Sequence, residues 1–294
     1  MASKVAVVTG SNKGIGLAIV KGLCKKFGGD VYLTSRSVSA GEKAAEDLRK
    51  ELTPEAAKKV KCHQLDITDA ATLTKLRDHL KSTYGGLDLL INNAGIGVDS
   101  TEPAEVLAEK TFRTNYYGTK QASEILFPLL RKGARVVNVC SRGGTLYGYG
   151  DAMVKRLKSD QNTIKDLDAI TDEFMSALKD GTADKKGFVA VGGADWIPGE
   201  FVRVYCVSKA LEIALTFCQQ REMLKKRPSD QIQVHPCCPG YVATDLNKHA
   251  GKLTVDEGAE IILKLSFLPY EKEKLFRFWY ENEGHDWDTR TFTL

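Results

Sequence analysis

The amino-acid sequence predicts a doubly wound parallel α/β sheet, and two observations carry that expectation. Short β-branched or aliphatic runs alternate with segments of helical periodicity from Val5 to Val139. Glycines cluster at the first strand-to-helix junction, in Thr9-Gly10-Ser11-Asn12-Lys13-Gly14-Ile15-Gly16. Strand–helix alternation implies parallel strands, because each strand can repeat its direction only after a helical crossover.

The elements follow in order. Residues 5–8 form a β-branched first strand that stops at Gly10, and residues 14–27 place Ile15, Ile19, Leu23 and Phe27 at helical spacing. Strand 31–34 precedes helix 40–52, strand 60–65 precedes helix 70–84, and strand 87–91 precedes a further helical region. A helical stretch around 115–130 leads to a fifth strand at 134–139. The alternation then breaks over about 146–199, an insertion whose segment 163–179 carries Ile164, Leu167, Ile170, Phe174 and Leu178 at helical spacing. Gly192, Gly193 and Pro198 mark a loop. Helix resumes at about Tyr205, followed by strand 232–237, helix 255–265, a last strand at 276–280 and a polar tail.

No linker or internal repeat divides the chain, so residues 1–294 are expected to form one domain with a helical insertion before Tyr205. Forty-two Lys and Arg against 38 Asp and Glu give a net charge of +4 with no dense basic block, which argues against a nucleic-acid surface and for a small or neutral partner. Seven cysteines lack metal-ligand spacing and read as reduced thiols in a reducing compartment, with no metal site. The N-terminal apolar run is too short for a secretory segment, and no stretch approaches the ~18 apolar residues of a membrane helix. The expectation is a soluble cytoplasmic protein.

Gly10, Gly14 and Gly16 stand where missing side chains permit a tight turn and close approach of a pyrophosphate to the N–H groups opening a helix. A strand before the loop and a helix after it make a Rossmann-type dinucleotide site the reading, against simple turn chemistry. Where an NAD site usually carries an acid on the ribose 2′-hydroxyl, this chain has Ser35-Arg36. Arg36 can pair with a 2′-phosphate, Lys13 is a second cation, and their joint positions favour NADPH over two solvated surface charges. Asp66, after the third strand, either accepts from an adenine amino group or caps the next helix. Asn92-Asn93-Ala94-Gly95 closes the fourth strand with small and polar groups that let backbone approach a cofactor, or is an ordinary turn.

Tyr205 and Lys209 are four apart on one predicted helix and share a face. A lysine cation lowers the pKa of a neighbouring phenol, which makes the pair an acid/base for a carbonyl oxygen when a hydride carrier serves the carbon. Ser141, at the end of the fifth strand, is placed to orient and polarise that oxygen. Asn115, an amide of poor helix propensity, is expected to hold a water near Lys209 as a proton relay.

These motifs, with Pro239-Gly240, resemble the short-chain dehydrogenase/reductase family over essentially the whole chain. Ser11-Asn12-Lys13, the long insertion and Cys237-Cys238-Pro239-Gly240-Tyr241 resemble in particular the animal cytosolic NADPH-dependent carbonyl reductases, which reduce quinones, aldehydes and ketones. The resemblance implies a catalytic tetrad of Asn115, Ser141, Tyr205 and Lys209, with Tyr205 and Lys209 also against the cofactor. It implies a cofactor surface from Gly10, Asn12, Lys13, Gly14, Ile15 and Gly16, then Asp66, Ile67, Asn92, Ala94 and Gly95. Pro239, Gly240, Val242 and Thr244 complete that surface at the carboxamide end. It further implies a monomer, because the inserted helix covers a surface that pairs subunits in many relatives. Tyr147, Trp196 and Tyr241 are candidate pocket aromatics beside Ser141 and Tyr205, with core packing as the alternative. Cys238 reads either as a reactive thiol or as a small inert hydrophobe. Two other functions stay open: a reductase dedicated to one steroid, prostaglandin or alkaloid-like metabolite, and a non-catalytic NADPH-sensing protein.

Overall fold

The computed structural model describes residues 3–97, 102–189 and 199–288. Strand β1 (Lys4–Val8) shows why its sequence is apolar throughout: Val5 and Val7 enter one hydrophobic cluster, Ala6 and Val8 another, on opposite faces of the sheet. Helix α1 (Gly14–Lys26), β2 (Gly29–Ser35), α2 (Val38–Glu51), a short α3 (Pro54–Ala57), β3 (Val60–Gln64), α4 (Ala70–Tyr84) and β4 (Leu87–Asn92) follow the expected alternation within a few residues.

Next come α5 (Ala104–Phe112), a π-helical segment (Arg113–Gly118), α6 (Thr119–Leu126) and β5 (Leu130–Val139). The helix around Asn115 thus starts well before position 115, since Leu107, Ala108, Thr111 and Phe112 already form a buried face, and its middle is wound wide. The insertion contains α7 (Asp151–Leu157) and α8 (Ile164–Lys179). The second is the amphipathic helix expected, opened by a reciprocal Thr163–Asp166 capping box. Helix α7 was not foreseen; Met153, Val154 and Leu157 form its buried side. Helix α9 (Glu200–Lys226) starts five residues before Tyr205, because extended Gly199 supplies the first carbonyl, accepting from Val202 and Arg203. Then come β6 (Gln233–Cys237), α10 (Val255–Ser266), β7 (Phe278–Tyr280) and β8 (Glu283–His285). The expected polar tail is therefore partly a strand: Glu281 and Asn282 both take positive φ, as a two-residue hairpin turn demands.

The sheet order is β3-β2-β1-β4-β5-β6-β7-β8, parallel except for β8 on β7. The order reverses direction between β1 and β4, which opens a crevice at the carboxyl ends of the strands. A third apolar cluster joins α5, α8 and α9 to the C-terminal hairpin through Phe112, Phe174, Phe278 and Trp287. Asp168 of α8 accepts from Tyr116 at 3.0 Å and pairs with Lys120 at 2.6 Å, which docks the insertion on the segment carrying Asn115.

Candidate active site

The loop between β1 and α1 is built for close backbone approach. Gly10 has φ +58°, and a Cβ there would stand 2.9 Å from Ala94, so the loop and the segment after β4 can touch only because the side chain is missing. Asn93 ties the two together: its amide donates to the carbonyls of Thr9 and Gly10 at 2.9 and 3.0 Å. Lys13 is the N-terminal flanking residue of α1, with no side-chain cap and no acid in the first turn. The N–H groups that open α1 thus have no side-chain cap from Lys13, and an anion is stabilised there by the N–H groups and the helix dipole. Asn12 and Ile15 are half-buried in the loop, and Gly16 is buried. This cradle and its uncapped N-terminus fit the pyrophosphate of a dinucleotide.

Beyond β2, Arg36 is exposed, and its guanidinium makes no ion pair among the described residues. Lys13 is instead paired with Asp245, across the cleft, at 2.6 Å. Asp66 uses its Oδ1 to accept from the Thr68 N–H and hydroxyl at 2.9 and 2.8 Å, a local turn, while Asp69 caps α4. The capping alternative for Asp66 is thereby corrected. Ile67 is buried and abuts Gly118 at the end of the π segment. Asn92, which the resemblance places on the cofactor surface, spends its side-chain amide on Asn138 at 2.8 Å and Ser123 at 3.4 Å in a buried polar network. Gly95 lies beside the reacting centre, where a Cβ would be 3.4 Å from Asn115 Oδ1 and 3.6 Å from Lys209 Nζ, while Ala94 packs on Gly10.

Ser141, Tyr205 and Lys209 come together where the end of β5 meets α9. Tyr205 lies beside Ser141, whose hydroxyl lowers the phenol's pKa, and Ser141 Oγ accepts from Gly143 N–H at 3.1 Å. Gly144 makes this meeting possible: a Cβ there would be 2.6 Å from the Lys209 backbone, so the serine loop lies directly on the helix. Lys209 donates to the Val139 carbonyl at 3.0 Å and to Glu212 at 2.6 Å, and both charged side chains are buried. Burial works against the Lys209 ammonium, but Glu212 and Tyr205 outweigh it and hold its pKa above the ordinary range. Burial also lifts the Glu212 carboxyl, against the pull of Lys209. For Tyr205 the net effect differs from the expectation: burial pushes the phenol above its usual value despite the lowering by Lys209 and Ser141.

Asn115 is fully buried in the π segment, a distortion frequent at functional sites. Its amide, expected to hold a water near Lys209, accepts from Ile96 N–H at 2.9 Å and donates to the Ile96 carbonyl at 3.1 Å and to the Ser208 hydroxyl at 3.3 Å. Its visible task is to anchor segment 93–97 beside Lys209.

On the substrate side, Pro239 and Gly240 follow β6, and Tyr241 is 55% exposed at the cleft rim. Val242 is buried and bridged to Leu253, and Thr244 lies against Gly14, which brings the loop after β6 over the glycine loop. Tyr147 is half-buried against the α5–α8–α9 cluster, nearer the core alternative than an open wall. Trp196, Gly192, Gly193 and Pro198 lie outside the described residues. Cys238 is buried, and burial raises its thiol pKa, which favours the inert reading. The hairpin braces this side: Trp287 donates its indole N–H to the Gly144 carbonyl at 2.7 Å, and Arg142 pairs with Glu281 at 2.6 Å beneath Tyr280. Neither contact, nor the Lys209–Glu212 pair, was anticipated; the signals were an acid at i+3 from Lys209 and an aromatic-rich end.

A doubly wound sheet with an anion-accepting glycine loop and a Ser/Tyr/Lys group beside it defines a Rossmann-type oxidoreductase. Residues 4–154 match the family model described as short chain dehydrogenase. The chain is 38% identical to carbonyl reductase (NADPH) 3 of Rattus norvegicus, over 91% of this chain and 92% of that protein. It is 36% identical to carbonyl reductase (NADPH) 1 of Homo sapiens, with 92% of each covered. Among solved structures, salutaridine reductase from Papaver somniferum superposes with a TM-score of 0.76 at 31% identity, covering 91% of this chain and 97% of that one. Menthone neomenthol reductase from Mentha piperita gives 0.73 at 30%, covering 92% and 96%. The chain belongs to the short-chain dehydrogenase family.

Proposed function

We propose that this enzyme reduces the carbonyl group of small molecules with NADPH, and that Tyr205 delivers the proton to the carbonyl oxygen. The observation that carries the reading is the convergence of Ser141 and Tyr205 around Gly143, one helical turn from Lys209, which lies beside Gly95 at the end of the glycine-loop cleft. The similarity to NADPH-dependent carbonyl reductases supports it. When bound, the nicotinamide supplies a hydride to the carbonyl carbon. Gly10, Asn12, Lys13, Gly14, Ile15 and Gly16 would hold the pyrophosphate end, Arg36 the 2′-phosphate, and Gly95, Lys209 and Thr244 the nicotinamide end. Ser141 orients the carbonyl oxygen, and the Tyr205 hydroxyl, protonated at neutral pH, transfers its proton there as the alkoxide forms.

The substrates in this reading are quinones, aldehydes and ketones, handled by one domain acting as a cytoplasmic monomer. A second reading, a reductase dedicated to one metabolite, is favoured by the likeness to two plant enzymes whose names each point to particular compounds. One experiment tests both. NADPH oxidation is followed with a quinone, an aromatic aldehyde and a steroid ketone, for the wild type and for Tyr205→Phe. Turnover should fall at least ~100-fold in the variant, as expected for loss of a general acid, while NADPH binding stays. Unchanged turnover would remove Tyr205 from its role. One sharp optimum across the panel would favour the dedicated reductase.

A further inference from the structure

The buried partner of Lys209 sets this site apart from a bare Tyr/Lys pair. Glu212 lies one turn further along α9, with its side chain 1% exposed. One carboxylate oxygen accepts from Lys209 at 2.6 Å and the other from Thr119, at the start of α6, at 3.3 Å. The Lys209 ammonium already has the Val139 carbonyl at 3.0 Å to hold it in place. A carboxylate on top of that does something a carbonyl cannot: it offsets the full charge that Lys209 would otherwise direct at Tyr205.

The other titratable groups around the pair do not share this task. Cys140 at the end of β5, Cys206 on α9, and Cys237 and Cys238 at the end of β6 are all pushed upward by burial, so their thiols stay neutral, and Arg142 faces Cys238. Among the described residues, Glu212 is the anion of this group. Burying it costs desolvation, and its removal leaves a buried cation without its counter-charge.

We infer that Glu212 is a positioning residue for the reaction, which clamps the Lys209 ammonium against the floor of the site and offsets its charge so that Tyr205 stays a protonated donor. The inference rests on the reading of Tyr205 as that donor. It gives the Lys–Tyr pair a bias toward carbonyl reduction, which needs the phenol, over alcohol oxidation, which needs the phenolate.

The test is the pH dependence of kcat/KM in both directions, measured on the full chain for the wild type, Glu212→Gln, Glu212→Asp and Tyr205→Phe. With the amide in place, Lys209 acts on Tyr205 unopposed, and the phenolate is favoured. The alkaline limb of reduction and the acid limb of oxidation should both move to lower pH by about one unit, a tenfold change in the phenolate fraction below the limb. Glu212→Asp keeps the charge and should return the limbs most of the way. A variant that merely lets Lys209 wander would weaken its hold on Tyr205 and move the limbs the other way. Limbs that stay, or that rise, therefore overturn the inference. If Glu212→Gln does not fold, Glu212→Met removes the same charge in a chain of similar length, and the same direction is required. Tyr205→Phe separates the two levels: turnover surviving in that variant refutes the donor reading, whereas its loss with unmoved Glu212→Gln limbs refutes the role of Glu212 alone.

Discussion

Arg36 is the residue on which cofactor preference should turn. It follows the end of β2, where an acid would select a plain ribose, and its guanidinium is exposed without an ion-pair partner among the described residues. A charge-assisted bond to phosphate is worth about 1.5–3 kcal/mol, so Arg36→Asp should lower kcat/KM for NADPH by roughly 10- to 100-fold and raise it for NADH. The ratio of the two values checks this. An unchanged ratio would shift the phosphate contact to Lys13, which must then leave Asp245 to make it. At this scale the sequence was a good guide to which groups meet and a poor one to their balance. Tyr205 and Lys209 were legible because helical spacing alone puts them on one face. The net upward push on Tyr205 was not, because it depends on how deeply the folded chain buries the phenol, which outweighs the lowering by Lys209 and Ser141. Asn92 and Asn93 show the same limit: neighbours in sequence, they point to opposite tasks once a strand ends between them.

The C-terminal hairpin is the element most directly coupled to the serine loop. Trp287 is buried and its indole N–H satisfies the Gly144 carbonyl, directly above the Lys209 backbone. Trp287→Phe would keep most of the ring and leave that carbonyl without its partner, at a cost of about 1–3 kcal/mol. At roughly 2–4 °C per kcal/mol for a chain of this size, the melting temperature should fall measurably in calorimetry. An unchanged melting temperature would mean that the bond contributes nothing to holding the loop. The repeated βα units before residue 140 were readable because strand and helix periodicities are local. Of the hairpin only the first strand was readable, in the aromatic run 276–280; β8 was not, since a three-residue polar strand carries no pattern and only the Glu281-Asn282 turn announces it. The π segment was equally hidden: it is the end of one good helical stripe and the start of another, out of phase.

For the whole molecule, the consequential feature is where the insertion lies. Helix α8 covers α5 and α9 and is fixed on its far side by Asp168 to Tyr116 and Lys120. Leu167, Ile170 and Phe174 are at most 1% exposed in that contact. Burying such side chains is worth on the order of 1.5–3 kcal/mol each as an upper estimate, so peeling α8 away to let a second subunit pair on α5 and α9 would forfeit several kcal/mol before any interface formed. A dimer built on those helices would also have to replace the tilted and edge-on contacts of the Phe112, Phe174 and Phe188 rings with contacts of equal quality. The same packing ties the insertion to catalysis, because α5 leads into the π segment that holds Asn115 and α9 carries Tyr205 and Lys209. The protein should therefore sediment as a single 32.3 kDa protomer at micromolar concentration, with or without NADPH. A sedimentation-velocity experiment showing a stable dimer would mean that subunits meet through another surface, or that α8 leaves its seat in solution. Phe174→Ala separates these: it should cost about 3–5 kcal/mol of stability if α8 is seated as described, and little if it is not.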